Sequence, residues 1–363
     1  MFPLAVLTIV LLLWFTPITF SHASSLKIHH PEIPFIPFPV LPPPNPSTKA
    51  DQIASLFTRL NANTKWTLID KIHLDGNVGE PEGLVRLSSS NNTIDDVRYA
   101  VSLGHFPLRP VPYPFGKRIN GTDRTAGAGT AHLVLFDGTG TRIADAQLSG
   151  KLGEDDEYHP GGIDYDGRHI WMTIAQYRPN STARIVRVDP WSLRAETLFR
   201  ADDHYGAAVR DTRENKLLAL NWGSREAAVW DLDGYSYGGG GNDAVPAIAD
   251  FAKPAEKIRN PSSFIDYQDC KFLGYPAMYG GERAVMICAG VSGRVGGLAL
   301  VDMKSMVPLA EVPLSMKSSW GGVITQNPFD VDVVDGRLRG YFMPDLLIGT
   351  VYVYEAHISA DEN

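Results

Sequence analysis

Glu157–Thr173 reads EYHPGGIDYDGRHIWMT. A short polar lead, Glu157-Tyr158-His159, meets a Pro160-Gly161-Gly162 turn. An alternating run follows, Ile163-Asp164-Tyr165, then a tight Asp166-Gly167 turn and a second apolar run, His169–Met172. Asp-Gly between two such runs is a strong short-range hairpin signal. The glycines let backbone approach where a side chain would clash. His159 is expected at a strand end, where a rigid scaffold presents side chains to solvent or ligand.

The pattern recurs along the chain. His204-Tyr205-Gly206 leads into Val209-Arg210-Asp211 and then Lys216–Trp222. Asn260-Pro261-Ser262 leads into Ile265-Asp266-Tyr267, and Ser319-Trp320-Gly321-Gly322 leads into Ile324–Asp332. More faintly, Glu80-Pro81-Glu82-Gly83 leads into Val85-Arg86-Leu87. From His159 onward the spacing is roughly the 40–60 residues of one four-stranded propeller blade. The longer gap between Glu80 and His159 implies an insertion or a degenerate blade. The expected fold is therefore all-β, a single propeller of five or six four-stranded blades. An early strand around Trp66–Asp70 is expected to pair with the C-terminal strands and close the ring, which removes exposed sheet edges.

Composition agrees with one turn-rich globular ring: 363 residues, 44% hydrophobic, with 34 Gly and 26 Pro. A net charge of −8 without any basic block argues against nucleic acid and against an anionic membrane surface as partners. Residues 1–23 read as a secretory signal, with an apolar run Phe2–Phe15 and a Ser21-His22-Ala23 cleavage site, although no Lys or Arg precedes the run. That run is short for a membrane span, so the expected location is the secretory pathway or outside the cell. Residues 24–60 are read as a Pro-rich arm that wraps the ring, followed by a short helix over Lys49–Leu60. Residues 61–356 form the propeller, and residues 357–363 a frayed tail. Gly234–Asn242 is expected to be an exposed loop. The two cysteines, Cys270 and Cys288, read as a disulfide between neighbouring strands in an oxidising compartment. Sequons at Asn91, Asn120 and Asn180 fall in expected loops.

If the blade leads are equivalent, Glu80, His159, His204, Asn260 and Ser319 converge on one mouth of the central channel. His159 and His204 are the candidates for proton transfer or metal ligation. Asp202-Asp203, beside His204, are expected to raise its pKa and hold one tautomer, with Asp203 the catalytic candidate. Tyr158, Tyr177, Trp222, Tyr267 and Trp320 lie near the leads and offer apolar walls of the kind a small-molecule site uses. Metal ligation is weakly signalled: two imidazoles suit calcium poorly, and no H-E-x-x-H pattern exists. A nucleophile elbow, G-x-S-x-G, is also absent.

The runs Asp123-Arg124-Thr125-Ala126-Gly127, Tyr158–Gly167 and Tyr177-Arg178-Pro179-Asn180-Ser181, continued by Asp203-His204 and Trp222-Gly223-Ser224-Arg225, resemble a family of secreted bacterial and fungal β-propellers. A fungal branch of it is similar to the hetero-Diels–Alderases of tropolone–sesquiterpenoid pathways. The resemblance implies loss of water from a hydroxymethyl tropolone, giving an o-quinone methide that adds across an alkene of a humulene-type sesquiterpene. Such a reaction needs a proton donor, a donor that polarises the tropolone oxygen, and a dry pocket that orients two partners. No cofactor is expected. On the ring argument His159 or His204 is the acid, Tyr177 or Arg178 polarises the oxygen, and Trp222 and Trp320 line the terpene side; Tyr158, Tyr267, Glu80 and Asn260 complete the binding surface. The competing expectations are a metal-dependent propeller hydrolase or lactonase, and a secreted ligand-binding propeller without catalysis.

Overall fold

The computed structural model describes residues 25–41, 49–89, 93–149, 156–233 and 251–358. Five antiparallel sheets follow one another as the blades of a propeller. Blade 1 runs outward from Glu80–Leu87 through Arg98–Leu108, Ala128–Asp137 and Arg142–Gln147. In blade 2, Glu157–Pro160 and Asp164–Tyr165 share the inner position, followed by Ile170–Gln176, Ala183–Val188 and Ala195–Ala201. Blade 3 is Tyr205–Asp211, Lys216–Asn221, Glu226–Asp231 and Glu256–Arg259. Blade 4 is Asp266–Gly274, Val285–Ser292, Val295–Asp302 and Pro308–Leu314. Blade 5 takes Phe329–Val334, Arg337–Phe342 and Ile348–His357 from the C-terminal part and Lys65–Asn77 from the N-terminal part.

That last pairing is the expected closure, in register from Lys65 opposite His357 to Asn77 opposite Ile348. It converts the free edge of the C-terminal strand into a paired one. The long interval between Glu80 and His159 holds an insertion rather than a blade: residues 109–127 leave the sheet at Leu108 and return at Ala128. This excursion is itself hairpin-like, with bridges between Pro112 and Arg124 and between Ile119 and Thr122.

At the centre the inner strands come close enough to hydrogen-bond across the channel. Asp269 of blade 4 accepts backbone N–H groups of Leu84 in blade 1, Ile163 in blade 2 and Phe329 in blade 5. Asp164 accepts from Arg210 and Phe272, and Asp330 accepts from Arg86. Lys271, fully buried, places its ammonium 2.7 Å from Asp269 and donates to the Ile163 carbonyl. This crowding explains the Gly161-Gly162 pair. A Cβ on Gly161 would fall 2.4 Å from the Gly206 carbonyl oxygen, and one on Gly162 would fall 2.6 Å from the Asp269 carboxylate.

Between blades the alternating apolar residues pack face to face. Leu133 and Leu135 of blade 1, for example, meet Ile170, Met172 and Ile174 of blade 2. Cys270 and Cys288 are directly opposite on adjacent strands of blade 4 and form a disulfide. The helix is shorter than expected, Ala50–Phe57, and buries Ile53, Ala54 and Phe57 against blades 4 and 5. The Pro-rich arm lies on the ring: Ile36 is buried among blades 1 and 2, and Arg98 donates to the carbonyls of Pro34 and Phe35. Ser25–Ile28 adds a fifth strand to blade 1 beside Arg142–Gln147, a pairing the Pro-rich context obscured.

Within blade 5 the chain turns between Phe329–Val334 and Arg337–Phe342 at Asp335-Gly336, both at positive φ. Blade 3 is completed by Glu256–Arg259, which lies beyond the glycine-rich run Gly234–Asn242. Ser319 does not open the inner strand of blade 5, which begins at Phe329. The signal segment, Asn91, Gly234–Asn242 and most of the tail lie outside the described residues. Among the described residues no helix is long and apolar enough to cross a membrane.

Candidate functional site

Chain direction places the starts of all inner strands and the ends of all second strands at one end of the ring. In blades 1 to 3 these positions carry polar and aromatic side chains that meet. The inner strands present Glu80 and Glu82, then His159, then His204 just before Tyr205. The second strands present Phe106, then Tyr177, then Trp222. The repeat of the blade thus places three aromatic residues behind a row of acids and imidazoles.

The contacts are close. The ring of His159 lies 3.9 Å from that of Tyr177, 5.4 Å from Phe106 in a stacked arrangement, and 5.5 Å from His204. His204 meets Trp222 edge-on at 4.7 Å. Tyr158 is buried beneath Phe106, 5.7 Å away, and its hydroxyl donates to the Ala126 carbonyl at 2.5 Å. That bond, together with Arg124 over the Trp222 ring at 4.5 Å, fastens the 109–127 hairpin beside the site.

The polar groups fall into two pairs. Glu80 accepts a hydrogen bond from Tyr177 Oη at 3.0 Å and forms an ion pair with Arg109 at 2.7 Å. Arg109 in turn lies over the Phe106 ring at 5.8 Å. Among the described residues Glu82 has no such cation within pairing distance. Its Oε1 faces His159 Nε2 at 3.5 Å. Burial, reinforced by the nearby charges of Glu80 and Asp269, pushes the Glu82 carboxyl well above its ordinary range. Burial lowers His159 to about 4. Both shifts favour the same state: a neutral carboxylic acid facing a neutral imidazole, because an ion pair there would be desolvated next to a charge already in place. Among the described residues the buried Nδ1 of His159 has no hydrogen-bond partner.

His204 is held differently. Its Nδ1 lies 2.7 Å from the Gln176 carbonyl, and a carbonyl only accepts, so the proton is on Nδ1 and Nε2 carries the lone pair. Burial, and then the neighbouring His159, lowers its pKa to about 3. The expectation that Asp203 raises this pKa is corrected. Asp203 accepts from the backbone N–H of His204 and faces Asn221, so it fixes the chain and not the ring.

The structure therefore brings together Glu80, His159, His204, Tyr158, Tyr177 and Trp222. It places four other candidates elsewhere. Arg178 turns outward to Asp156 and Gln176, at 2.7 and 2.8 Å. Asn260 is buried between blades 3 and 4, donating to the Ser224 carbonyl. Tyr267 packs in the core between those blades. Trp320 is 73% exposed in the loop before blade 5. The blade 4 and 5 leads fail because Asn260 and Ser319 precede their inner strands, which start at Asp266 and Phe329. Glu82, Phe106, Arg109 and Arg124 were missed. Glu82 stands two residues after Glu80, the same-face spacing of a strand, and Phe106 occupies the blade position of Tyr177 and Trp222.

Among the described residues no group of three or more His, Cys, Asp or Glu side chains is arranged to hold a metal ion. Glu80 is already taken by Arg109 and Tyr177, and His204 Nδ1 by a carbonyl, so Glu80, His159, His204 and Asn260 do not form a ligand set.

The profile of a family of unknown function, DUF6454, matches residues 42–360, and the chain belongs to that family. No curated protein sequence matches it. Among solved structures it is similar to the glutaminyl cyclase of Myxococcus xanthus, with 10% identity and a TM-score of 0.43 over 82% of this chain and 100% of that one. It is also similar to a GH43 β-xylosidase/α-arabinofuranosidase from a compost microbial metagenome, with 9% identity and a TM-score of 0.41 over 83% and 97% of the two chains. A regucalcin from Agrobacterium tumefaciens gives 8% identity and a TM-score of 0.39 over 81% and 95%.

Proposed function

We propose that this member of the DUF6454 family is an enzyme that transfers protons on a neutral, largely apolar small molecule held among the aromatic side chains at the mouth of the ring. The observation that carries the reading is the 3.5 Å approach of Glu82 to His159, with burial driving both towards their neutral forms. A carboxylic acid kept protonated near neutral pH is a proton donor, and the His204 Nε2 lone pair is an acceptor.

Within this class, the dehydration and cycloaddition that the sequence resemblance implies fit these residues, with one change of assignment. Glu82, rather than an imidazole, donates its proton to the leaving hydroxyl of a hydroxymethyl tropolone as the C–O bond breaks, releasing water. His204 Nε2 takes the tropolone O–H proton, leaving a neutral o-quinone methide. Solvent returns the proton from His204 to Glu82. Arg109 at the rim, with N–H donors beyond its pair with Glu80, is the group that polarises the tropolone oxygen, in place of Tyr177 or Arg178; Tyr177 gives its hydroxyl proton to Glu80 and contributes its ring to the wall. The humulene-type alkene then adds across the quinone methide with no further proton transfer. Orientation of two partners between Phe106, Tyr177 and Trp222 supplies the rest, an effect worth roughly 7–11 kcal/mol in favourable cases.

The test is to incubate purified protein with a hydroxymethyl tropolone and a humulene-type terpene, and to follow the rate and stereochemical ratio of the adduct. The native protein should raise both above the spontaneous reaction, and Glu82→Gln and His159→Ala should return them towards it. No effect of the native protein, or undiminished activity in both variants, contradicts the reading.

A further inference from the structure

The hairpin over residues 109–127 projects from the end of the ring that carries the site, and its surface is unusual for a soluble loop. Leu108 and Val111 are each 60% exposed, Ile119 is 41% exposed, and Phe115 at the tip is fully exposed. Phe115 also sits at φ 57°, followed by Gly116 at φ 66°. The left-handed region is unfavourable for a bulky residue, and exposed phenyl surface gains nothing from folding. Backbone strain of this kind persists where something beyond the fold uses it. Lys117 and Arg118 follow directly and are exposed. The same end of the ring also exposes Trp320 and Leu347.

We propose that this hairpin docks on a phospholipid surface, with Phe115 and Val111 entering the boundary between headgroups and acyl chains and Lys117 and Arg118 meeting headgroup phosphates. An apolar tip flanked by two cations matches the layering of that boundary, apolar below and phosphate above. A protein groove would need no such order of charge beside apolar surface. The net charge of −8 belongs to the whole chain; the charged residues of the hairpin itself are Arg109, Lys117, Arg118 and Arg124 against the single acid Asp123, so the tip is locally basic. Docking would bring the mouth of the site to the lipid phase, the phase into which apolar small molecules partition. The inference rests on the surface alone and stands whatever chemistry the pocket performs.

The experiment is flotation of the native protein with phosphatidylcholine vesicles and with vesicles that also contain phosphatidylglycerol. Native protein should bind both, and the anionic vesicles more tightly, by about fivefold for each basic residue engaged. Phe115→Asp should weaken binding to both by about tenfold or more, and it leaves the fold intact because the side chain touches solvent on all sides. Joint Lys117→Glu and Arg118→Glu should abolish the preference for the anionic vesicles. Native protein that stays in solution with both vesicles overturns the proposal, as does unchanged binding by Phe115→Asp. A glycan found on Asn120 of the protein as its source makes it would cover the same tip and would also overturn it. So would a dimer, seen by light scattering, that Phe115→Asp dissolves, since a second copy would then be the occupant.

Discussion

Nε2 of His159 lies 3.5 Å from Oε1 of Glu82, across the junction between the inner strands of blades 2 and 1. Neither residue is close to the other in sequence, and only closure of the ring brings them face to face. Glu80, two positions from Glu82, takes the cation Arg109 and the Tyr177 hydroxyl, so the second carboxyl is left beside a charge it cannot join. Two acids on one strand are thereby given different surroundings, and burial beside the first raises the pKa of the second.

A pH dependence follows. Activity needs Glu82 protonated and His159 neutral. His159 is lowered to about 4, so its neutral form fills as pH rises through that value. Glu82 is raised, so its protonated form is lost only as pH passes its elevated pKa. The rate should climb through about pH 4, hold a plateau above it, and fall as pH passes the elevated pKa of Glu82. In Glu82→Gln the upper limb should vanish and the plateau should drop by about a hundredfold or more. A pH–rate profile of both proteins checks this.

Stability should fall as pH rises through neutrality. Burial raises Asp164 and Asp330 to about 7 and Asp269 to about 6. The folded state therefore holds protons that the unfolded chain, with carboxylates near 3.9, has released. This contribution is complete below the unfolded value and is lost as pH rises through about 6 to 7. Denaturant melts at several pH values should show the loss, and Asp330→Asn should flatten the slope.

Lys271 is the cation that keeps the central acids compatible. Its ammonium is fully buried, 2.7 Å from Asp269 and bonded to the Ile163 carbonyl. Lys271→Met leaves the carboxylate without its counter-charge and should cost about 3–5 kcal/mol in chemical denaturation. Surface pairs such as Arg213–Glu282 should be nearly neutral on removal.

Ring closure is a separate test. Removing the chain before Val78 strips Lys65–Asn77 from Ile348–His357 and exposes a ten-residue edge strand. The truncated chain should aggregate and lose its cooperative melt, measured by size-exclusion chromatography and circular dichroism.

Much of this ring was legible because its grammar is local. Asp166-Gly167 turns where a turn was read, with Gly167 at φ 93° and Asp166 accepting from the N–H groups of Arg168 and His169. Trp66–Asp70 was recognisable as an edge needing a partner, and it found the C-terminal strand. The convergence of His159 with His204 was legible too, since blade position sets it. Asn260 and Ser319 misled because a lead motif says nothing about how many residues separate it from its strand. Glu256–Arg259 was hidden behind a glycine-rich run. Arg178 looked available next to Tyr177, but the chain bends after Gln176, with the Arg178 N–H donating to the Gln176 carbonyl, and the Arg178 side chain went to Asp156. Arg109 and Arg124 come from an irregular insertion that carries no periodic signal.

Infrared difference spectroscopy at neutral pH, comparing the native protein with Glu82→Gln, reads the protonation of Glu82 directly. A protonated carboxylic C=O stretch present in the native protein and missing from the variant is the expected result. A difference confined to the carboxylate stretches would mean that Glu82 is ionised, and the proposed proton donor would not exist.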